Sequence, residues 1–530
     1  MGSLSSVSKG LIRTTAAGQI MPRSTRLLRS VFVAVALLSS AVAEASASDR
    51  PQWGERYSRN MVSEETGLPE DFDPETGRNV LWSVPLGSEC YATPVIAGGK
   101  VLIGTNNEQP RDARHKGDRG VLLCLNEADG SLAWQLVVPK LEGDVFLDWP
   151  RSGMCSPPTV EGRRVYMVTN RDEIVCLDLD GMANGNDGPY RDEGRHMALR
   201  GQLPLDVGTS DADILWLFDL RSSAGVRPHD AAHCSILLDG PFLYVNTSNG
   251  LTSRHDGVEK PEAPSLVVLD KATGRLIARD DEHIGPRIFH STWSSPAMGE
   301  VNGRRLIFFA GGDGICYAFA ALTPTTPKQS VETLRRVWRF DCDPAAPKDN
   351  VHRYIGNRRH SPSNIKSMPV FHNGRLFVTA GGDIWWGKHE AWLKCLDAAG
   401  TGDMTASGLL WSYPLTRHCC STPSIRDGLV YVADCGGKVH CVDAQTGKPY
   451  WIHDAGGEIW ASTLVADGKV YIGTRRGRFW VLAAGKEKRV LSSVHLADQI
   501  ISTPVAANGA LYVGIMSRLY ALRSAAGRKQ

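Results

Sequence analysis

The chain of 530 residues carries 59 basic and 57 acidic side chains, and a formal charge of +2 gives no field strong enough to hold a nucleic-acid backbone. With 42% hydrophobic and 22% charged residues the composition is that of a folded globular protein, which excludes a disordered or low-complexity chain. The 54 glycines are enough to punctuate many short strands and favour an all-β chain.

In chain order, Arg23, Arg26 and Arg29 come first, ahead of an apolar run from Val31 to Leu38 and small residues through Ala47. That is the order of a secretory signal, with Ala-x-Ala cleavage sites at Ala41 to Ala43 and Ala45 to Ala47. The run is shorter than the roughly 20 residues that cross a bilayer. Residues 1–48 are therefore expected to be a targeting segment, with 1–20 a start-site extension ahead of Met21. The mature chain is expected to be exported to the periplasm or the extracellular space through a cleaved signal peptide, with no stable membrane span. No cysteine precedes Cys90, so none follows the signal directly for lipid attachment. Residues 49–78 read as an N-terminal linker and 524–530 as a C-terminal tail.

Between them, residues 79–523 repeat. Units opening at Cys420-Ser-Thr-Pro423, Ala461-Ser-Thr-Leu464 and Ile501-Ser-Thr-Pro504 share one grammar. A short strand turns at Asp-Gly or Asn-Gly into a Val-Tyr-Val type strand, and another apolar strand follows, as in an antiparallel meander. The same openings recur at Cys90, Cys155, Cys234, Trp293 and Ser367, which makes eight. Strand-ending tryptophans follow at Trp134, Trp216, Trp338, Trp411 and Trp451, and the third and seventh units lack one. The eighth unit stops at Leu522 one strand short, while a spare strand, Asn79 to Val84, stands ahead of the first. A repeat of this period predicts an all-β, eight-bladed β-propeller of four-stranded antiparallel blades, its ring closed by the N-terminal strand.

The segment Cys441-Val-Asp-Ala-Gln-Thr-Gly-Lys-Pro-Tyr-Trp451, with variants at Cys124 to Gly130 and Leu269 to Gly274, resembles the repeat of the pyrroloquinoline quinone (PQQ)-type propeller family. The resemblance implies a structural role for the tryptophan, packed on the next blade. It spans quinoprotein dehydrogenases, propeller factors that assist outer-membrane protein assembly, and other exported proteins, so fold alone does not choose a function.

Twelve cysteines in an exported chain raise the question of a disulfide framework. Their positions favour packing: Cys90, Cys155, Cys234 and Cys420 hold the opening position, and Cys124, Cys176, Cys316, Cys395 and Cys441 fall in or near third strands. Cys419 and Cys420 are adjacent, and resemble the vicinal pair that lies over the quinone in some quinoprotein alcohol dehydrogenases.

Residues just ahead of each opening should gather at one mouth of the channel. They are Glu89, Arg151, His229, Asp230, His233, His290, Arg359, His360, Lys366, Arg417, His418, Glu458 and Asp498. Trp293 and Trp460 offer stacking surfaces there. If a quinone binds, Arg417, His418, Cys419, Cys420, Trp293 and Trp460 are the residues expected to hold it. No metal site is assigned, because no paired Cys-x-x-Cys or EF-hand spacing occurs; the Asp- and Gly-rich stretch 180–195 reads as a surface loop. The paired Trp385 and Trp386 are expected to cover a blade edge or to contact a partner.

The resulting expectation is a monomeric, non-catalytic binding scaffold of the cell envelope, with a protein or small-ligand partner and no cofactor. The alternative is a PQQ- and calcium-dependent dehydrogenase of an alcohol or sugar.

Overall fold

The computed structural model describes residues 48–324 and 330–524, so the expected signal segment lies outside the described residues apart from Ser48. Strands fall into eight sheets, one for each unit. The most regular blade, the sixth, consists of Ser424–Arg426, Leu429–Ala433, Lys438–Asp443 and Pro449–Asp454, each antiparallel to the one before. Its first turn, Asp427-Gly428, has positive φ at both residues, as do Asn302-Gly303, Asn373-Gly374, Asp467-Gly468 and Asn508-Gly509 in other blades. These are the mirror-image turns whose twist matches that of the strands they join, which is why Asn or Asp precedes Gly at each.

The ring closes as the leftovers require. Val80–Pro85 pairs antiparallel with Arg518–Leu522 and supplies the fourth strand of the blade made by Val505–Ala507 and Ala510–Ile515. The eighth blade thereby has its full four strands, with only the short inner and outer edges of a propeller blade.

Apolar residues gather in eight clusters, each between two adjacent blades. The repeat tryptophans lie in or beside these interfaces. Each indole N–H donates to a carbonyl of the following blade: Trp134 to Leu179, Trp216 to Lys271, Trp338 to Ala398, Trp411 to Ala444 and Trp451 to Gly485. Trp82 in the closing strand does the same to Glu127. Glycine is required beneath several of these rings, because a Cβ at Gly130, Gly274 or Gly447 would meet an indole at 2.8, 2.5 and 2.5 Å. In the third blade, which has no such tryptophan, the Tyr244 hydroxyl instead accepts from the Leu322 N–H of the fourth.

All twelve cysteines are free thiols, and ten are buried. Burial pushes Cys90, Cys124 and Cys176 up to about 12, so they are unreactive filling between sheets.

Residues 50–65 run around the inner strands on one side of the ring. Arg50 bridges Ile96, the Pro51 carbonyl accepts from Val160, Tyr57 from Met298 and Ser58 from Phe371. Asn60 exchanges hydrogen bonds with Ile425, Val62–Ser63 adds in parallel to Leu464–Ala466, and Glu65 accepts from Asn508 and Gly509. The third blade is met through Arg59, whose buried guanidinium donates to Pro296, Trp53 and Ser235. This segment therefore touches all eight blades and floors the channel.

Candidate functional site

Above that floor lies a cavity of about 480 Å³, walled by residues of every blade. The segments that lead into each first strand converge on it, because a propeller turns them toward its axis. They bring Asp230, His233, His290, Trp293, Lys366, Cys420 and Trp460 to the cavity wall, all expected at the mouth from sequence. Trp53 of the N-terminal segment contributes from below.

Its centre is an acid–base cluster. Asp383 is fully buried, and its carboxylate accepts from His290 Nδ1 at 3.1 Å, Asn364 at 2.9 Å and the N–H groups of Trp385 and Trp386 at 2.9 Å, with Lys366 Nζ at 3.1 Å. Burial disfavours this charge, yet Lys366, His290 and the Trp386 N–H hold it well below the usual carboxylate range. The Lys366 ammonium also lies 3.8 Å from the centre of the Trp293 ring, a desolvated cation–π contact.

Beside this pair three imidazoles meet. His229 and His290 are 5.0 Å apart between ring centres, His229 and His255 4.9 Å. Burial, and then the neighbouring histidines, hold His229 well below its usual pKa; His255 is lowered for the same reasons. Asp230 faces them, its oxygens 3.7 Å from His229 Nε2 and 3.5 Å from His290 Nε2, and burial raises its pKa against the pull of His290 and Lys366. The loops that carry these groups are tied by one buried arginine. Arg227 pairs with Asp144 and with Glu259 at 2.8 Å and donates to the Leu251 carbonyl.

Aromatic rings complete the wall. Trp385 stands edge-on to Trp293 at 5.4 Å and to Trp460 at 5.6 Å, while Trp386 packs on His255 at 4.9 Å. The paired tryptophans thus do not cover a blade edge, because the Asp383 carboxylate caps their backbone N–H groups and turns both rings toward the axis.

Other expected residues lie apart from the cavity lining. Glu89 accepts from Tyr91 and pairs with exposed Arg151 at 3.4 Å, and Glu458 bridges Trp460 and Arg475 at the rim. Arg359, His360 and Arg417 are exposed, carried outward by their loops; His360 leans on Tyr354 and Asp498 caps Gln499. His418 is buried beside His389, and its pKa falls to about 4 through burial and Arg417. Cys419 donates to the Ala433 and Ser421 carbonyls. His255, Asp383, Phe146 and Trp149 escaped the sequence reading. His255 and Asp383 sit after second strands, not before first strands, and a propeller brings both kinds of loop to the same face.

Comparison with known proteins agrees with this architecture. A family model described as "Outer membrane protein assembly factor BamB" matches residues 70–277 and 389–530. Among curated proteins, the quinohemoprotein alcohol dehydrogenase of Comamonas testosteroni is 34% identical over 110 residues, which cover 18% of this chain and 15% of that protein. The cytochrome c-dependent 1-butanol dehydrogenase of Thauera butanivorans is 30% identical over 125 residues, covering 20% of this chain and 18% of that one. The chain thus spans less than a fifth of either relative's length in these matches. Among solved structures, quinohemoprotein alcohol dehydrogenase ADHIIG of Pseudomonas putida HK5 superposes with a TM-score of 0.55 at 13% identity, covering 91% of this chain and 82% of that one. The likeness at that identity concerns the fold alone. The family match leaves out 278–388, the stretch holding His290, Trp293, Lys366, Asp383, Trp385 and Trp386, whereas Asp230, His255, Cys420 and Trp460 of the cavity wall fall within the matched residues. On the match to more than half of its length, and on eight blades closed as that repeat demands, the chain belongs to the PQQ-type propeller family of the outer membrane assembly factor BamB.

Proposed function

We propose that this chain is an exported, non-catalytic propeller of the cell envelope that binds a small ligand with a flat face, an aromatic or a sugar ring, at the mouth of its channel. The observation that carries this reading is the wall of the cavity: Trp149, Trp293, Trp385, Trp386 and Trp460 line it together with the charged Lys366 and Asp230. Indole faces give a ring apolar contact, and a few convergent polar groups fix its orientation. The volume of about 480 Å³ falls within the range of small-molecule sites, about 300 to 1,000 Å³. Export rests on the basic, apolar and small-residue order of residues 23–47. Among the described residues no helix is long and apolar enough to cross a membrane.

The short matches to quinohemoprotein dehydrogenases favour a second reading, PQQ held with calcium. The donor set does not fit it. Calcium takes six to eight oxygen ligands, whereas Asp230 is the one carboxylate among the described cavity-lining residues. Asp383 is taken by Lys366, His290, Asn364 and two backbone N–H groups, and imidazoles occupy the neighbouring space.

The test is titration of the purified chain with PQQ, with and without Ca²⁺, and with a panel of monosaccharides, followed by tryptophan fluorescence, beside native mass spectrometry of material taken from envelope extracts. Saturable quenching that disappears in Trp293→Ala and Trp385→Ala supports the reading. Flat titrations, with no ligand retained by the native protein, would sink it. Quenching by PQQ that requires Ca²⁺ would put the dehydrogenase reading first.

A further inference from the structure

We propose that His229, His255 and His290, with Asp230, form a binding site for a divalent transition metal that opens into the tryptophan-walled cavity. One nitrogen from each imidazole lies within 4.8 Å of the other two, and all three residues are at least nine-tenths buried. His229 Nε2 and His255 Nε2 are buried with no hydrogen-bond partner. Buried polar atoms are normally satisfied, and two orphaned ring nitrogens in one histidine cluster ask for a common partner.

The far side of the rings is arranged for that partner. His229 Nδ1 is 2.9 Å from the Leu251 carbonyl, which fixes its proton there and leaves Nε2 with a free lone pair. His290 Nδ1 is held by the Asp383 carboxylate in the same way, and the Ser253 main chain is hydrogen-bonded to His255. A carboxylate or carbonyl behind the imidazole is what orients a histidine toward a metal and raises its basicity.

Asp230 supplies the fourth donor, with its oxygens beside His229 Nε2 and His290 Nε2. Its backbone is left-handed, φ +69°, a strained conformation kept in place by hydrogen bonds from its N–H to Phe146 and to its carbonyl from Trp149. Such strain is retained where a side chain must point one way.

The chemistry of the donors names the class of metal. Three imidazoles and one carboxylate suit Zn²⁺, Fe²⁺, Co²⁺ or Mn²⁺, not a hard oxygen-seeking cation. Metal–nitrogen bonds of about 2.0–2.1 Å would draw the three nitrogens closer than they now lie. Because His255, His290 and Asp230 also line the cavity, a bound ion has a face open to whatever occupies it. The inference does not depend on the identity of that occupant.

The experiment uses the full mature chain, stripped with chelator and then dialysed against Zn²⁺ for elemental analysis, or titrated with Co²⁺ for its visible spectrum. A single metal per chain is expected, with the intense Co²⁺ absorption of a low-coordinate nitrogen and oxygen site. Loss of that spectrum is expected in His255→Ala, which lies in the loop 247–265 and leaves every strand intact. Asp383→Asn, which keeps the size of the side chain but removes the charge behind His290, should weaken binding by about 10- to 100-fold. Thermal melts and far-ultraviolet circular dichroism show whether each variant is folded. If His290→Ala does not fold, His255→Ala decides alone. Co²⁺ binding that survives in folded His255→Ala would overturn the proposal, as would binding lost instead in His115→Ala or His418→Ala, which stand in two other groups of metal-ligating side chains.

Discussion

The sixth to eighth blades and the second to fifth are built from one repeat, yet they do different work. Between the later blades the connections are short, residues 455–463 and 496–504, and the strands follow the repeat with little added. The earlier half carries 140–158, 220–236, 247–265 and 342–369, and from these loops come Phe146, Trp149, His229, Asp230, His255 and Lys366. Repetition makes the ring, and departure from repetition makes the site. Of these loops only 342–369 falls in the stretch 278–388 that the family match leaves out; the other three are carried within matched blades.

Breaking the repeat should cost stability wherever it is done. Trp134 is completely buried between the first and second blades, and its N–H satisfies the Leu179 carbonyl. Trp134→Ala leaves a ring-sized void and an orphaned acceptor, so a loss of about 3–5 kcal/mol is expected. Chemical denaturation measures it, and a loss below about 1 kcal/mol would mean that the docking tryptophan is not what holds neighbouring blades together.

A second contrast sets two histidines against each other. His440, within the sixth blade, has both nitrogens engaged by Asp434 and Tyr413. His418, in the loop that leads into that blade, has a buried Nδ1 without partner, and burial and Arg417 lower its pKa from 6.5 to about 4. The folded state therefore refuses a proton that the unfolded chain accepts below pH 6.5. Stability from this group is complete above pH 6.5 and is lost as pH falls toward about 4, by at most about 1.4 kcal/mol per pH unit. Denaturation of wild type and His418→Gln across that window should show the shallower acid slope in the variant; equal slopes would place the proton elsewhere.

The ring was legible because the repeat writes its own rules into short words. Asp-Gly and Asn-Gly mark the turns, Trp marks the interface, and the unpaired strand at 79–84 meets the incomplete unit ending at Leu522. The site was half legible. Position before an opening picked out Asp230, His290, Trp293 and Lys366, since the fold aims those residues at the axis. His255 and Asp383 had no such marker. Each follows a second strand at a variable distance, and only the chain reversal in three dimensions brings them beside His290. The floor was not legible at all, because Arg59, the buried centre of the N-terminal segment, is a charged residue in a stretch with no pattern of apolar period. Its guanidinium is placed by four acceptor atoms on three residues, Trp53, Ser235 and Pro296.

Glycine separates repeat grammar from mere turn geometry. Gly428 and Gly447, both in the sixth blade, have φ of +74° and +71°. Nothing lies within 4 Å of a Cβ at Gly428, whereas one at Gly447 would meet the Trp411 ring at 2.5 Å. Gly428→Ala should cost only the strain of a left-handed alanine, about 1 kcal/mol. Gly447→Ala adds displacement of a packed indole, for a total of about 2 kcal/mol or more. Equal melting temperatures for the two variants would show that the Trp411 contact is loose.

The smallest effect on stability should come from the cavity wall, where the proposed ligand would be felt most. Trp386 is only partly buried, and its backbone N–H to Asp383 and its carbonyl contact with Gly356 survive truncation of the side chain. What Trp386→Ala removes is a ring that packs on His255 at the cavity wall, surface already exposed to water on one side. The expected cost is about 1 kcal/mol or less, because half-exposed side chains contribute only part of their transfer energy. A chain that melts within a few degrees of wild type and no longer retains its ligand would show that loops supply function on a ring able to stand without them. A chain that loses as much stability as Trp134→Ala would show instead that the cavity wall is structural, and that the two halves of the molecule differ less than their loops imply.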